Sequence, residues 1–247
     1  MKLSDHVYLV GGGDYGFNLT HRLDCNVYAI DAGDEIVLVD AGFGPATDEI
    51  LEHMRTDGLD PARVSRIVIT HYHADHAGGC APMVRATGAE LWAPTETADT
   101  IRAADGGPTG LDWAQSFGFY PADYVWEPCA VDHEFGDGDV IPAGGLRLEA
   151  VATPGHCAGH YVLRLEAGGR GYLFASDLVF WGGAIILQNV PDSNLQAYAA
   201  SMNRVAELEF DALLPGHHMI SMANGKRHVL AAAQDFNRIG LPRDLLR

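Results

Sequence analysis

The sequence predicts an α/β protein built as an αββα sandwich, with two mixed sheets and helices on their outer faces. Short apolar runs typical of buried strands alternate with segments typical of helices. In each half, a strand ends in histidine and glycine and a helix follows, so we expect two similar βα units that face each other. A length of 247 residues is ample for one α/β core, and we expect a single domain over residues 1–247.

The first half alternates predicted strands and helices. Apolar runs bounded by glycine, aspartate or proline predict strands at residues 7–10, 27–30, 36–39, 67–69 and 90–93. Helices are predicted between them at residues 47–57, 81–87 and 95–104. The first of these helices has Ile50, Leu51 and Met54 on one side and Gly58 as its stop.

The run Gly11-Gly12-Gly13-Asp14-Tyr15-Gly16 matches the G-x-G-x-x-G pattern of dinucleotide sites. Such a site needs a helix that begins at the glycines and points its N-terminus at the pyrophosphate. No sustained helical pattern follows Gly16. A glycine-rich hairpin is therefore expected here.

Residues 105–130 differ from the rest of the chain. Glycine and proline interrupt this segment, yet it holds six large aromatic side chains: Trp113, Phe117, Phe119, Tyr120, Tyr124 and Trp126. A linker does not need six aromatics, whereas a loop that covers an apolar pocket does. We expect an aromatic-rich loop insertion that brings Trp113 and Tyr120 to a substrate pocket; the alternative is an insertion packed on the surface.

The second half continues the same alternation. Strands are predicted at residues 140–141, 146–152, 161–165, 171–175 and 211–214, and helices at residues 194–208 and 226–238. In the first of these helices, Leu195, Tyr198, Met202 and Val205 are three or four residues apart, so we expect them to be buried.

The densest group of metal-binding side chains is His71-x-His73-x-Asp75-His76, directly after the strand at residues 67–69. His71 and His73 are two residues apart, so their side chains project to the same side in extended backbone. Imidazole and carboxylate together suit zinc, with iron or manganese as alternatives. Gly78 and Gly79 are expected to let the chain turn sharply before the next helix. This pattern predicts a metal site, the alternative being solvated loop histidines.

The run from His71 to Gly79 resembles the signature of the metallo-β-lactamase superfamily of hydrolases. Three later motifs are similar to the remaining ligand motifs of that family and occur in the same order. They are Thr153-Pro154-Gly155-His156-Cys157-Ala158-Gly159-His160, Ser176-Asp177 and Pro215-Gly216-His217. The resemblance covers the chain from Asp40 to His217 and implies the αββα fold of this family.

The resemblance also implies a set of seven ligands. A first metal takes His71, His73 and His156, a second takes Asp75, His76 and His217, and Asp177 bridges the two. Asp40, in Asp40-Ala41-Gly42, and His160 are expected to support ligands and not to bind metal. His218 is the competing candidate for the position of His217.

This ligand set implies two Zn²⁺ ions, with iron or manganese as alternatives, and a hydroxide held between them as the nucleophile. The expected reaction is hydrolysis of an ester-type bond (lactone, ester or thioester) in a small molecule. Asp75 is expected to pass a proton to the leaving group, and Asp177 to hold both ions. The chain has no G-x-S-x-G motif and no cysteine placed as a nucleophile, so covalent catalysis is disfavoured.

Two branches of the family are the nearest in pattern. N-acyl-homoserine lactonases are similar in length and motifs, whereas hydroxyacylglutathione hydrolases share the ligands but carry a longer C-terminal extension. A lactone is therefore the leading expectation, with Phe180 and Trp181 lining the same pocket as the aromatic segment. The alternatives are a mononuclear iron oxygenase of the persulfide dioxygenase type, a β-lactam hydrolase and a binding protein without activity.

Composition narrows the partners. The formal net charge is −17, from 33 acidic and 16 basic residues, and such a surface repels nucleic acid and anionic membranes. A small-molecule substrate is expected instead.

The four cysteines lack a C-x-x-C pattern, which favours thiols in a reducing compartment. No run resembles a signal peptide or membrane span, so we expect a cytoplasmic protein. The oligomeric state is open, a homo-oligomer included.

Overall fold

Each of two sheets belongs to its own part of the chain in the computed structural model, which describes residues 1–245. The first unit is Met1–Phe135, and the second is Gly136–Arg247, described as far as Leu245. Both sheets are mixed and both units carry helices, so the predicted α/β class with two mixed sheets is confirmed.

The first unit has six strands in chain order across its sheet. They are β1 (Val7–Gly11), β2 (Val27–Asp31), β3 (Ile36–Val39), β4 (Val64–Val68), β5 (Glu90–Pro94) and β6 (His133–Phe135). Strand β2 is antiparallel to both of its neighbours, β1 and β3, and β3 to β6 are parallel. Every residue of β3 is buried, which explains its unbroken apolar sequence.

Parallel strands need crossover connections, and helices fill them in this unit. The helices are α1 (Thr47–Thr56), α2 (Ala74–Ala77), α3 (Cys80–Thr87), α4 (Thr95–Ala103), α5 (Gly106–Thr109) and α6 (Leu111–Ser116). The last two lie in the 105–130 segment, so part of the predicted loop is helical. The Asp105 side chain begins α5 by accepting a hydrogen bond from the Gly107 amide at 3.0 Å.

The glycine run at residues 11–16 leads into the connection from β1 to β2 and does not begin a helix. Residues 12–26 are irregular and contain no helix, and the two strands that they join are antiparallel. A dinucleotide site with the G-x-G-x-x-G pattern needs a helix at this point. The glycine-rich connection expected from the sequence is therefore what the structure has.

The second unit has five strands: β7 (Val140–Ala143), β8 (Leu146–Ala152), β9 (Tyr161–Ala167), β10 (Arg170–Ser176) and β11 (Ala212–Pro215). Strands β7 to β10 form an antiparallel meander, and β11 is parallel to β10 at the edge. Two helices, α7 (Leu195–Ala206) and α8 (Lys226–Asn237), supply apolar side chains to its core. Within residues 1–245, no helix combines the length and the apolarity needed to cross a membrane.

Candidate metal centre

Four predicted ligands of the first unit lie in the short connection after β4. His71 and His73 are in the extended stretch, and Asp75 and His76 are in α2. The ring of His71 lies 4.7 Å from that of His73 and 4.1 Å from that of His76, centroid to centroid. All three imidazoles are buried. A buried group of imidazoles beside a carboxylate is the donor set that zinc prefers.

Asp40 orients this connection from the end of the neighbouring strand β3. One carboxylate oxygen, Oδ1, accepts hydrogen bonds from the Thr70 amide at 2.8 Å and from the Thr70 hydroxyl at 2.9 Å. The other, Oδ2, lies 2.8 Å from His76 Nδ1. Since a carboxylate can only accept, Nδ1 carries the proton and Nε2 is left as the basic nitrogen that a metal needs.

Cys25 adds a third donor beside Asp40 and His76, and one donor atom from each lies within 4.8 Å of the others. Burial raises the pKa of Cys25 to about 12, which favours the thiol over the thiolate. Asp40 already accepts from Thr70 and His76. Asp40 and Cys25 therefore lie beside His76 and support it, and His76 is the predicted metal ligand of the three.

Asp75 has its two carboxylate oxygens in different settings. Oδ2 lies 3.8 Å from His76 Nε2, and Oδ1 accepts a hydrogen bond from the Tyr120 hydroxyl at 2.9 Å. Tyr120 was expected to line a substrate pocket, but its hydroxyl donates to Asp75, a predicted metal ligand. No local pattern signals this contact, because the two residues are separated by 45 positions.

The predicted ligands of the second unit follow three of its strands. His156 comes after β8, Asp177 directly after β10, and His217 after β11. Asp177 Oδ2 lies 3.6 Å from His156 Nε2 and 3.5 Å from His217 Nε2. Two donors bound to one zinc at about 2.0–2.1 Å in tetrahedral geometry are about 3.4 Å apart. The donor set of this unit therefore fits divalent cations.

His160 supports Asp177 through the backbone. Its Nε2 accepts a hydrogen bond from the Asp177 amide at 3.2 Å, and its Nδ1 lies 2.8 Å from the Thr153 hydroxyl. Both ring nitrogens are thus used within the unit, so His160 has none for a metal. The Tyr198 hydroxyl adds a second restraint by donating to the Asp177 carbonyl at 2.6 Å.

Backbone in the left-handed region recurs around the predicted ligands. Asp40, Ser176 and His218 have φ of +63°, +45° and +64°. Such conformations cost about 1–3 kcal/mol each in residues other than glycine and collect at functional sites. Ser176 and His218 are the chain neighbours of Asp177 and His217, so these bends set the path of the backbone at both predicted ligands. The two segments are also joined by a hydrogen bond, in which the Gly216 amide donates to the Ser176 carbonyl at 2.7 Å. His218 itself is half-buried, whereas His217 is buried.

The four side chains predicted for the substrate pocket have different surroundings. Trp113 is 52% exposed, whereas Tyr120 is buried and bonded to Asp75. Phe180 is fully buried, with its ring centroid 6.2 Å from that of His217. Trp181 packs on His228 at 4.6 Å, with Arg227 over its ring. Their place in a pocket stays a prediction.

Comparison with known proteins identifies the class. The family model of the metallo-beta-lactamase superfamily matches residues 21–217, a range that contains all seven predicted ligands, and the chain belongs to this superfamily. Proteins of the superfamily bind divalent metals, typically zinc. A subclass B3 metallo-β-lactamase of Bradyrhizobium japonicum matches with a TM-score of 0.72 and 22% identity over 97% of this chain and 92% of that chain, which shows the fold.

The curated relatives include proteins named as a hydroxyacylglutathione hydrolase and a thioesterase, beside others named as beta-lactamase-like. The chain is 32% identical over 192 residues to a hydroxyacylglutathione hydrolase of Polaromonas sp., a match that covers 75% of this chain and 60% of that protein. It is 25% identical over 216 residues to the atrochrysone carboxyl ACP thioesterase of Aspergillus fumigatus, covering 87% of this chain and 56% of that protein. The chain spans about 60% of the length of the curated relatives that it matches.

Proposed function

We propose that this protein is a dinuclear zinc hydrolase that cleaves a thioester or ester bond, lactones included, in a small molecule. The observation that carries the proposal is the position of Asp177. Its Oδ2 atom lies at nearly equal distances, 3.6 and 3.5 Å, from the Nε2 atoms of His156 and His217. That spacing suits a carboxylate shared by two cations, one beside each histidine.

The ligands are assigned as the sequence motifs imply. His71, His73 and His156 would hold one cation, Asp75, His76 and His217 the other, and Asp177 both. The match of the family model across residues 21–217 supports a joint use of the two sets. When bound, two divalent cations polarise the scissile carbonyl and lower the pKa of water, so that a nucleophile is available near neutral pH.

The side chains of the protein then divide the remaining tasks. Asp40 fixes the His76 tautomer, and His160 fixes the Asp177 backbone. Asp75, the carboxylate that accepts from Tyr120, is proposed to take up the proton that the attacking water gives up and to pass it to the departing alkoxide or thiolate. The strained bends at Asp40 and Ser176 keep these groups preorganised.

The acyl part of the substrate is proposed to be apolar. Trp113, Phe117 and Phe119 of the 105–130 segment are 52%, 75% and 42% exposed, an apolar surface of the kind that binds acyl chains or rings. The names of the relatives favour a thioester over the lactone that the motifs favoured. A cytoplasmic location is part of this proposal.

The test combines metal content with turnover. The purified protein and its Asp177→Ala variant are measured for bound metal and assayed on thioesters, lactones, phosphodiesters and β-lactams. The wild type should hold about two zinc ions per chain and hydrolyse at least one thioester or ester. Asp177→Ala should lose metal and lower kcat/KM by at least ~100-fold.

Asp235→Ala is the matched control, because Asp235 is exposed on α8 and lies outside the ligand set. It should keep both metal and turnover. Wild-type turnover in Asp177→Ala would contradict the proposal. One iron per chain with no hydrolysis of any substrate would favour the persulfide dioxygenase alternative, and preferential turnover of β-lactams would favour the β-lactamase alternative.

A further inference from the structure

Tyr120 contacts one of the two carboxylate oxygens of Asp75, a predicted metal ligand. Its hydroxyl donates to Asp75 Oδ1 at 2.9 Å. The other oxygen, Oδ2, lies 3.8 Å from His76 Nε2, a spacing close to that of two donors on one cation. The Tyr120 hydroxyl thus holds one oxygen of Asp75. The second oxygen lies beside His76 Nε2, where one cation could contact both atoms.

An aspartate needs such a contact to have a fixed orientation. The last torsion of its side chain joins an sp³ carbon to an sp² carbon, so its energy wells are broad and the carboxylate turns easily. A hydrogen bond to one oxygen removes that freedom. Because the phenol is neutral, it does so without placing a positive charge beside the cation site, as arginine or lysine would.

The ring of Tyr120 is itself restrained by its neighbours. Phe43 stacks on it with ring centroids 5.3 Å apart, and Phe119 meets it edge-on at 5.0 Å. Phe43 is fixed in turn, because its amide donates to Asp24 at 2.8 Å and Tyr124 stacks on its ring at 3.9 Å. Tyr120 is 7% exposed. Its hydroxyl is therefore preorganised toward Asp75 before any ligand binds.

We propose that Tyr120 is a positioning residue that holds Asp75 in the orientation that binds the second cation. The role parallels that of Asp40, which holds His76 through Nδ1 and leaves Nε2 for the cation. The 105–130 segment is then a structural part of the metal centre. This inference rests on the proposed function, since it takes Asp75 and His76 as metal ligands.

The test is Tyr120→Phe, which removes only the hydroxyl and keeps the stacked ring. Zinc affinity is measured by competition with a chelator, zinc content at limiting zinc, and kcat and KM on the best substrate found. Tyr120→Phe should bind its second zinc at least about tenfold more weakly and lower kcat, with KM changed less than about twofold. The melting temperature of the metal-free protein should stay close to that of the wild type.

Tyr124→Phe is the matched control from the same aromatic cluster. Its hydroxyl donates to the Phe43 carbonyl at 3.0 Å, so its loss should leave zinc affinity unchanged. Equal zinc binding by the two variants would overturn the inference and leave the proposed function standing. A wild-type protein that binds no zinc would overturn the proposed function itself. If Tyr120→Phe does not fold, Tyr120→His keeps a ring with an N–H donor: near wild-type zinc affinity supports the inference, and a tenfold loss in the folded variant overturns it.

Discussion

Asp40 shows how one buried carboxylate can serve several neighbours. It accepts hydrogen bonds from the amide and hydroxyl of Thr70 and from His76 Nδ1, and it does so from a left-handed backbone position at the end of β3. Its own burial is almost complete. Such a residue stabilises the fold and orients a ligand through the same contacts, so both properties should respond to one substitution.

We expect Asp40→Asn to weaken zinc binding by about 10–100-fold and to lower the free energy of unfolding of the metal-free protein by about 1–3 kcal/mol. The amide group offers one acceptor where the carboxylate offered two, so one donor among Thr70 and His76 loses its partner. Chelator competition and urea unfolding measure the two effects. Asp34→Asn, at an exposed turn, is the control, and an equal response from both variants would contradict the role given to Asp40.

Tyr120 marks the limit of sequence reasoning at the residue scale. The cluster from His71 to His76 was predicted from its residue types and spacing, whereas the three ligands further along the chain were implied by the resemblance of their motifs to those of the family. The contact from Tyr120 to Asp75 depends on the path of an irregular segment, which no period in the sequence encodes. The same applies to the packing of Trp181 on His228, 47 positions further along.

At the scale of elements, apolar periodicity predicted α7 well. The helix begins after Asn194, whose side chain accepts from the Ala197 amide at 2.9 Å, and Tyr198, Met202 and Val205 are buried as expected. Leu195 was also expected to be buried and is 37% exposed, so that prediction is wrong. It occupies the first position of the helix, at the exposed end of the buried stripe.

Glycines and prolines were harder to interpret. The run Gly106-Gly107-Pro108 predicted a loop but forms α5, where the Asp105 side chain caps the helix by accepting from the Gly107 amide. Gly78 and Gly79 form the expected turn between α2 and α3, but the φ of Gly79 is −82°, which is open to any residue. A side chain there would overlap the Ala41 carbonyl. Close packing of the backbone, and not a positive φ, therefore requires glycine at this position.

Helix α8 is joined to the turn after β10 by a titratable contact. The Gly182 amide donates to His228 Nδ1 at 2.9 Å, which requires a neutral ring. Burial, and then the charge of Arg227, lower the pKa of His228 below its ordinary value of about 6.5. A lowered pKa means that this contribution is complete above the unfolded-state value and is lost as the pH falls through the folded-state value.

We therefore expect the urea midpoint of the wild type to fall more steeply between pH 7 and pH 5 than that of His228→Asn. The Asn amide oxygen takes the place of Nδ1 and accepts from Gly182 at any pH in this range. Unfolding curves at unit pH steps provide the comparison. Parallel pH profiles would show that His228 does not contribute to acid sensitivity.

At the scale of the whole molecule, the predicted ligands are spread from His71 to His217 and so belong to both units. If the two sets share cations as proposed, bound zinc stabilises the entire fold. Zinc at 1,000 times its dissociation constant would contribute about 4 kcal/mol per ion. For a chain of this length, that corresponds to a rise in melting temperature of roughly 8–16 °C.

The expected outcome is a drop of roughly 16–32 °C, the sum for two ions, when a chelator removes the metal, and recovery when zinc is added back. Magnesium should not restore it, because imidazole donors bind Mg²⁺ poorly. Differential scanning calorimetry on the three samples makes the measurement. An unchanged melting temperature after complete removal of metal would argue against a shared centre.

The net charge of −17 is a property of the whole surface. Acidic residues outnumber basic ones by 33 to 16, which weighs against nucleic acid as a partner and favours a small-molecule substrate. The formation of a homo-oligomer stays a prediction, as does the substrate within the ester-type class.

The hydrogen bond from Tyr120 to Asp75 has a consequence for protein engineering. Loop grafting and randomised libraries commonly replace an exposed aromatic insertion to change which acyl groups an enzyme accepts. In this chain, such an exchange over residues 105–130 would also remove the phenol that restrains Asp75. Libraries that retain the tyrosine, with Phe43 and Phe119 around it, should yield more active clones than libraries that randomise all 26 positions.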